Sequence, residues 1–102
     1  MQIDEYLFHY EQFFKEFGIY PTPVERKEKV VIEMCEFLEA DFPGNEAAAD
    51  DEAIDLMNTA ITNVAARGIK NPLFAGYQKL QRTAAKYRAL KVSGTIGDSR
   101  LC

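Results

Sequence analysis

Apolar residues recur along the chain at intervals of three and four, in four separate stretches. Ile3, Tyr6, Leu7, Tyr10, Phe13, Phe14 and Phe17 make the first stripe, and Phe8 projects to one side of it. That spacing gathers side chains on one face of a helix. Asp4 can cap its start, and Gly18 ends the run. "YPTPVERKE" then opens a second helix: Thr22 is the N-cap, Pro23 takes the first helical position, and Glu25 completes a capping box. Its apolar set of Val24, Val31, Met34, Cys35, Leu38 and Phe42 is assigned inward, flanked by Val30 and Phe37. Glu25, Glu33, Glu36 and Glu39 are assigned to the polar side.

"FPGN" breaks the second helix near residues 42 to 45. A third helix starts at Asn45 or at Asp50, buries Ile54, Met57, Ile61, Val64 and Ala65, and stops at Gly68, a natural residue for a helix C-terminus. Asn71-Pro72 repeats the cap-then-proline start. The fourth helix is expected to bury Leu73, Tyr77, Leu80, Ala84, Tyr87 and Leu90, and to stop before Gly94. Helices over about 4–17, 23–41, 50–67 and 72–92 predict an all-α, single-domain four-helix bundle spanning 1–92, with a short flexible tail over 93–102. No strand alternation and no internal repeat interrupts this pattern.

With 47% apolar and 27% charged residues, the composition is that of a folded globular chain and excludes a disordered one. No apolar run approaches the roughly 20 residues of a membrane span. The opening "MQIDEYLFHY" carries carboxylates where a secretory signal carries lysines, so the cytoplasm is the expected location. Two cysteines make no disulfide framework. Cys35 reads as a small core hydrophobe, and Cys102 as an exposed thiol.

Charge changes the picture more. Residues 1–66 hold 15 Asp and Glu against 4 Lys and Arg, a balance of −11. Residues 67–102 hold 8 Lys and Arg against one Asp, a balance of +7. On a helical wheel Lys79, Arg82 and Lys86 fall within about 60° of one another, opposite the apolar stripe of the fourth helix. The row therefore faces solvent or a partner. Arg88 and Lys91 sit nearer the buried edge, where their stems cover apolar surface. Fifteen carboxylates on the same body weigh against nucleic acid, and a helix-turn-helix reading of residues 56 to 80 matches only part of that pattern.

Candidate chemistry is sparse. His9 is the only histidine, and it is read as a surface histidine near Glu5 rather than a catalytic base. No Glu stands three residues before it, so the Glu-x-x-His pattern of di-iron bundles is absent. Glu46, Asp50, Asp51, Glu52 and Asp55 are read as carboxylates complementing a helix dipole, not as a calcium loop. Catalytic, cofactor and metal sites are thus all expected to be none.

These readings converge on a small non-enzymatic cytoplasmic protein that binds another protein: a regulator, inhibitor, adaptor or immunity-type factor. In plan the chain is similar to bacteriocin immunity proteins, an analogy of architecture that assigns no residues. Lys79, Arg82 and Lys86 form the expected partner surface, with Phe8 and Tyr20 as apolar anchors. The expected partner carries an acidic surface, or is a second copy whose acidic second helix meets the basic fourth. The alternative is a nucleic-acid-binding regulator using the fourth helix.

Overall fold

The computed structural model describes residues 1–94. The tail expected over 93–102 lies outside the described residues except for Ser93 and Gly94, and so does Cys102. Four helices occur, α1 (Ile3–Phe17), α2 (Pro23–Ala40), α3 (Glu46–Ala66) and α4 (Pro72–Val92), with no strand among the described residues. The expected all-α class with four helices is what the protein has. Two compact units can be distinguished, one over Met1–Lys70 and a second from Asn71 onward. The first holds α1 to α3, and the second holds α4.

Local signals fix the helix ends. At α2, Thr22 Oγ1 accepts from the Glu25 N–H at 3.2 Å while Glu25 Oε1 accepts from the Thr22 N–H at 3.0 Å. Two otherwise orphaned donors are thereby satisfied. At α4, Asn71 Oδ1 accepts from the Phe74 N–H at 3.0 Å, with Pro72 behind it. Gly18 ends α1 in the left-handed region, φ 64°, which lets the Ile19 N–H reach the Phe14 carbonyl at 2.8 Å. One cap differs from expectation, and one open start is resolved. Asp4 does not cap α1, because the cap is Gln2 and Asp4 already lies in the first turn. Of the two starts expected for α3 the structure has the earlier, with Asn45 as cap and Glu46 as the first helical residue rather than Asp50, since the Ala47–Ala49 run is strongly helix-forming and Glu46 Oε1 accepts from the Gly44 N–H at 3.1 Å.

Packing within the first unit runs mainly between α2 and α3, with α1 against α3. The short connection and the Asn45 side-chain N–H bond to the Ala40 carbonyl, 2.7 Å, fold α2 and α3 back to back as an antiparallel pair. The less exposed residues of α2 are Arg26, Val30, Glu33, Phe37 and Ala40, spaced at helical intervals. This is not the face expected to turn inward. Val24, Val31, Met34, Leu38 and Phe42 are all exposed, as is Cys35. Ile54 and Met57 of α3 are exposed too, as are Leu73, Tyr77 and Leu80 of α4, so those burial assignments are corrected. α1 does turn Ile3, Tyr6, Leu7, Tyr10 and Phe14 toward partial cover, while Phe13 and Phe17 stay exposed. Among the described residues no large side chain is fully buried. No described helix is long and apolar enough to cross a membrane.

Candidate functional site

The buried face of α2 carries an acid. Glu33 is 6% exposed and lies opposite α3, contrary to its assignment to a solvated side. One turn on, Glu36 projects in nearly the same direction, because residues three apart share a helix face. From α3, Glu52 meets them, and one oxygen from each of Glu33, Glu36 and Glu52 lies within 4.8 Å of the other two. Asp55 stands one turn beyond Glu52. Two carboxylate pairs, each three residues apart, thus face each other across the α2–α3 pair.

Three like charges this close repel, and something must offset them. One offset is Lys29, whose Nζ donates to Glu33 Oε1 at 2.7 Å. That hydrogen bond, with the nearby charges of Glu33, Glu36 and Asp55, raises the lysine's pKa. Repulsion shows in Glu36, whose pKa is raised chiefly by Glu33, then by desolvation and by Glu52. Tyr10 reports the same field from α1. Burial first, then Tyr6, Asp55 and Glu33, push its phenol up to about 12. Tyr6 in turn donates to Asn58 Oδ1 on α3, which ties α1 to the wall of the site.

The lysine does not satisfy the triad. Glu33 Oε2 and Glu52 Oε2 are both buried and meet no hydrogen-bond donor among the described residues. Such atoms are costly unless something cationic fills the space between them. A hard divalent cation fits the donor set, which is all carboxylate oxygen. Oxygen ligands at roughly 2.3 to 2.6 Å from Ca²⁺ stand up to about 5 Å apart across the ion, and about 4.2 Å across Mg²⁺. With its oxygens no more than 4.8 Å apart, the triad is compatible with either ion.

The residues singled out from sequence lie elsewhere. Lys79, Arg82 and Lys86 are exposed on α4, in the second unit. Phe8 and Tyr20 are exposed, at 56% and 78%. None of the five belongs to the triad. What the reading missed was the repetition itself: "EMCE" over 33–36 and "EAID" over 52–55 place paired acids on consecutive helices. Reading the carboxylates at 46–55 as one dipole-complementing cluster hides the distinct placement of Glu52.

No curated protein and no solved structure matches the chain. The family model described as phosphoribosyl-ATP pyrophosphohydrolase matches residues 9–84, well over half of the chain, and the whole acidic site lies inside the match. This overturns the expectation of a non-enzymatic protein-binding regulator or immunity-type factor, and its nucleic-acid-binding alternative as well. Those expectations rest on exposed charge, whereas the acidic cluster includes Glu33, on a packed face of α2 that hydrophobic patterning assigns to solvent. By this match the chain belongs to the phosphoribosyl-ATP pyrophosphohydrolase family.

Proposed function

We propose that the protein hydrolyses a phosphoanhydride bond of phosphoribosyl-ATP, or of a closely similar nucleoside triphosphate, and releases pyrophosphate. The observation that carries this reading is the Glu33–Glu36–Glu52 triad, with its two orphaned buried oxygens, inside the matched region. Glu33, buried, and Glu52, half-buried, would hold a divalent cation through those covered oxygens. When bound, the ion neutralises phosphate charge and makes a coordinated water more acidic. Glu36 closes the triad at its exposed edge, where water arrives. It orients that water and takes its proton as the new oxygen–phosphorus bond forms. The bridging phosphorus–oxygen bond breaks, and pyrophosphate leaves with the bonding electrons. Lys29 steadies Glu33 and offers a second cation to the leaving phosphates. A cytoplasmic setting, where nucleotides are abundant, suits this chemistry.

The test is pyrophosphate release from phosphoribosyl-ATP and from ATP, with and without Mg²⁺ or Mn²⁺. Wild type should show cation-dependent release, and Glu36→Gln and Glu52→Gln should lose a hundredfold or more, in line with the loss of a positioned base or ligand. Release from neither substrate, or undiminished activity in both variants, would end the proposal.

We further propose self-association. The exposed residues Val31, Met34, Cys35 and Leu38 of α2 form an apolar patch over about two turns, on the side of the helix away from Glu33. Such a patch fits the same patch of a second copy about a two-fold axis. This replaces the charge-driven dimer by an apolar one, which salt does not weaken.

A further inference from the structure

Next to the triad, the first unit holds a half-open cavity of about 440 Å³, within the range of small-molecule sites. The acidic centre does not account for it. One wall is aromatic: Tyr10, Phe13 and Phe14 stand with ring centroids 6.0 to 6.3 Å apart. The opposite side is a row on α3 of Thr59, Thr62 and Asn63. Thr62 spends its hydroxyl proton on the Asn58 and Thr59 carbonyls, at 2.9 and 3.1 Å, so the oxygen it turns outward can only accept. Arg26 lies over the Phe14 ring, 5.7 Å from its centroid, which holds the guanidinium at the cavity's border.

We propose that this cavity receives the heteroaromatic base of the nucleotide substrate, stacked on the Tyr10–Phe13–Phe14 wall and read along its edge by Asn63. The inference rests on the hydrolytic reading in taking the phosphates to lie at the triad. Shape and chemistry both favour a base. An acyl chain or aliphatic side chain would leave the threonine and asparagine groups facing hydrocarbon, at a desolvation cost. A base presents two π-faces and a polar rim, and a side-chain amide offers a donor and an acceptor side by side to match it.

Position agrees. Arg26 and Thr59 each lie seven residues from a triad member, Glu33 and Glu52, which is about 10 Å along either helix. Lys29 lines the cavity and also bonds Glu33, so cavity and triad share one wall. A nucleotide with its phosphates at the triad would pass Lys29 with its sugar and set its base among the rings. The same path gives a reason for Arg26 to be held at the border, where it can meet a further phosphate or stack on the base.

The test separates base binding from hydrolysis. Binding of AMP, GMP, CMP and UMP is measured by calorimetry without divalent cation, and binding of pyrophosphate with Mg²⁺. Wild type is compared with Phe13→Ala at an exposed position, with Asn63→Ala at a half-buried one, and with Glu52→Gln; far-UV circular dichroism checks that each is folded. At least one nucleotide should bind wild type, weaken about five- to a hundredfold in the two cavity variants, and bind Glu52→Gln as before. Pyrophosphate binding should show the reverse. Failure of all four nucleotides to bind folded wild type, or equal affinity in the cavity variants, overturns the proposal even if pyrophosphate release is intact. Loss of nucleotide in those variants with no hydrolytic activity in wild type leaves the cavity assigned and removes the hydrolytic reading alone.

Discussion

Adding a divalent cation should stabilise the protein, and removing one carboxylate should abolish that gain without unfolding the chain. The triad puts three acids within 4.8 Å of one another, with one bonded lysine and two orphaned buried oxygens. A cation that binds only the folded site stabilises it by RT ln(1 + [M]/Kd), about 2.7 kcal/mol at a hundredfold excess over Kd. For a domain of this size that raises Tm by about 10 °C or more. The pH dependence has a definite sign. Glu36 has a raised pKa in the folded state, so its stabilising contribution is complete below the ordinary value of 4.5 and is lost as pH rises through the higher folded value. Cation-free protein therefore loses this contribution on going from mild acid to neutrality. Cation binding needs the carboxylates ionised, so the Tm gain grows over the same interval. The assay is a thermal melt by circular dichroism in Mg²⁺, Mn²⁺ and Ca²⁺ at pH 5 and pH 7.5, for wild type and Glu52→Gln. The variant should melt at or above cation-free wild type, because one repulsion is gone, and should not respond to the ions. A wild type indifferent to all three ions, or a variant that responds as fully, would refute the site.

An ultraviolet titration should contain a tyrosine phase near pH 12 that Tyr10→Phe removes. Since its pKa is raised, the stability it lends persists below 10.0 and is lost as pH climbs through 12; a titration unchanged in the variant would refute the assignment. Thr22→Ala should cost about 1 kcal/mol by urea denaturation, through loss of the α2 cap. Glu25 in the same box has a lowered pKa from its bond to the Thr22 N–H, so its support is present above 4.5 and fades as pH falls through the lower folded value. Light scattering should give about twice the 11.6 kDa of one chain, with no change between low and high salt. Leu38→Glu should reduce that mass to a single chain; a wild-type mass already at 11.6 kDa would exclude the α2 interface.

Element type was legible because helix signals are local. The capping box at Thr22 and Glu25, the prolines at 23 and 72 and the glycine at 18 each act within one turn, and all appear where the pattern places them. Facing is different, since it depends on what each helix meets. α2 offers two candidate faces. One is the apolar set of Val24, Val31, Met34 and Leu38, continued by Phe42 beyond the helix end and interrupted by Lys27 and Glu28; the other is a mixed face of Arg26, Val30, Glu33, Phe37 and Ala40. Hydrophobicity alone chooses the first, and the folded chain packs the second.

That choice has a physical logic, and the site depends on it. A metal-binding carboxylate must be held rigidly and partly desolvated to bind tightly. Packing the mixed face against α3 does this for Glu33, while Lys29 limits the electrostatic cost. Small residues make room for it: Ala40 and Ala49 let the helices approach at the end nearer the triad, and Ala49 is itself buried. The apolar stripe is thereby left over, and leaving it bare is costly in water. A second copy resolves both demands at once, because it covers the stripe without disturbing the acids on the opposite side of the same helix. On this argument Val31→Ser, which softens the stripe but leaves the triad intact, should lower activity only as far as it dissociates the protein, and raising protein concentration should restore it. A loss of activity that concentration does not restore would show that the two faces of α2 are not separable in this way.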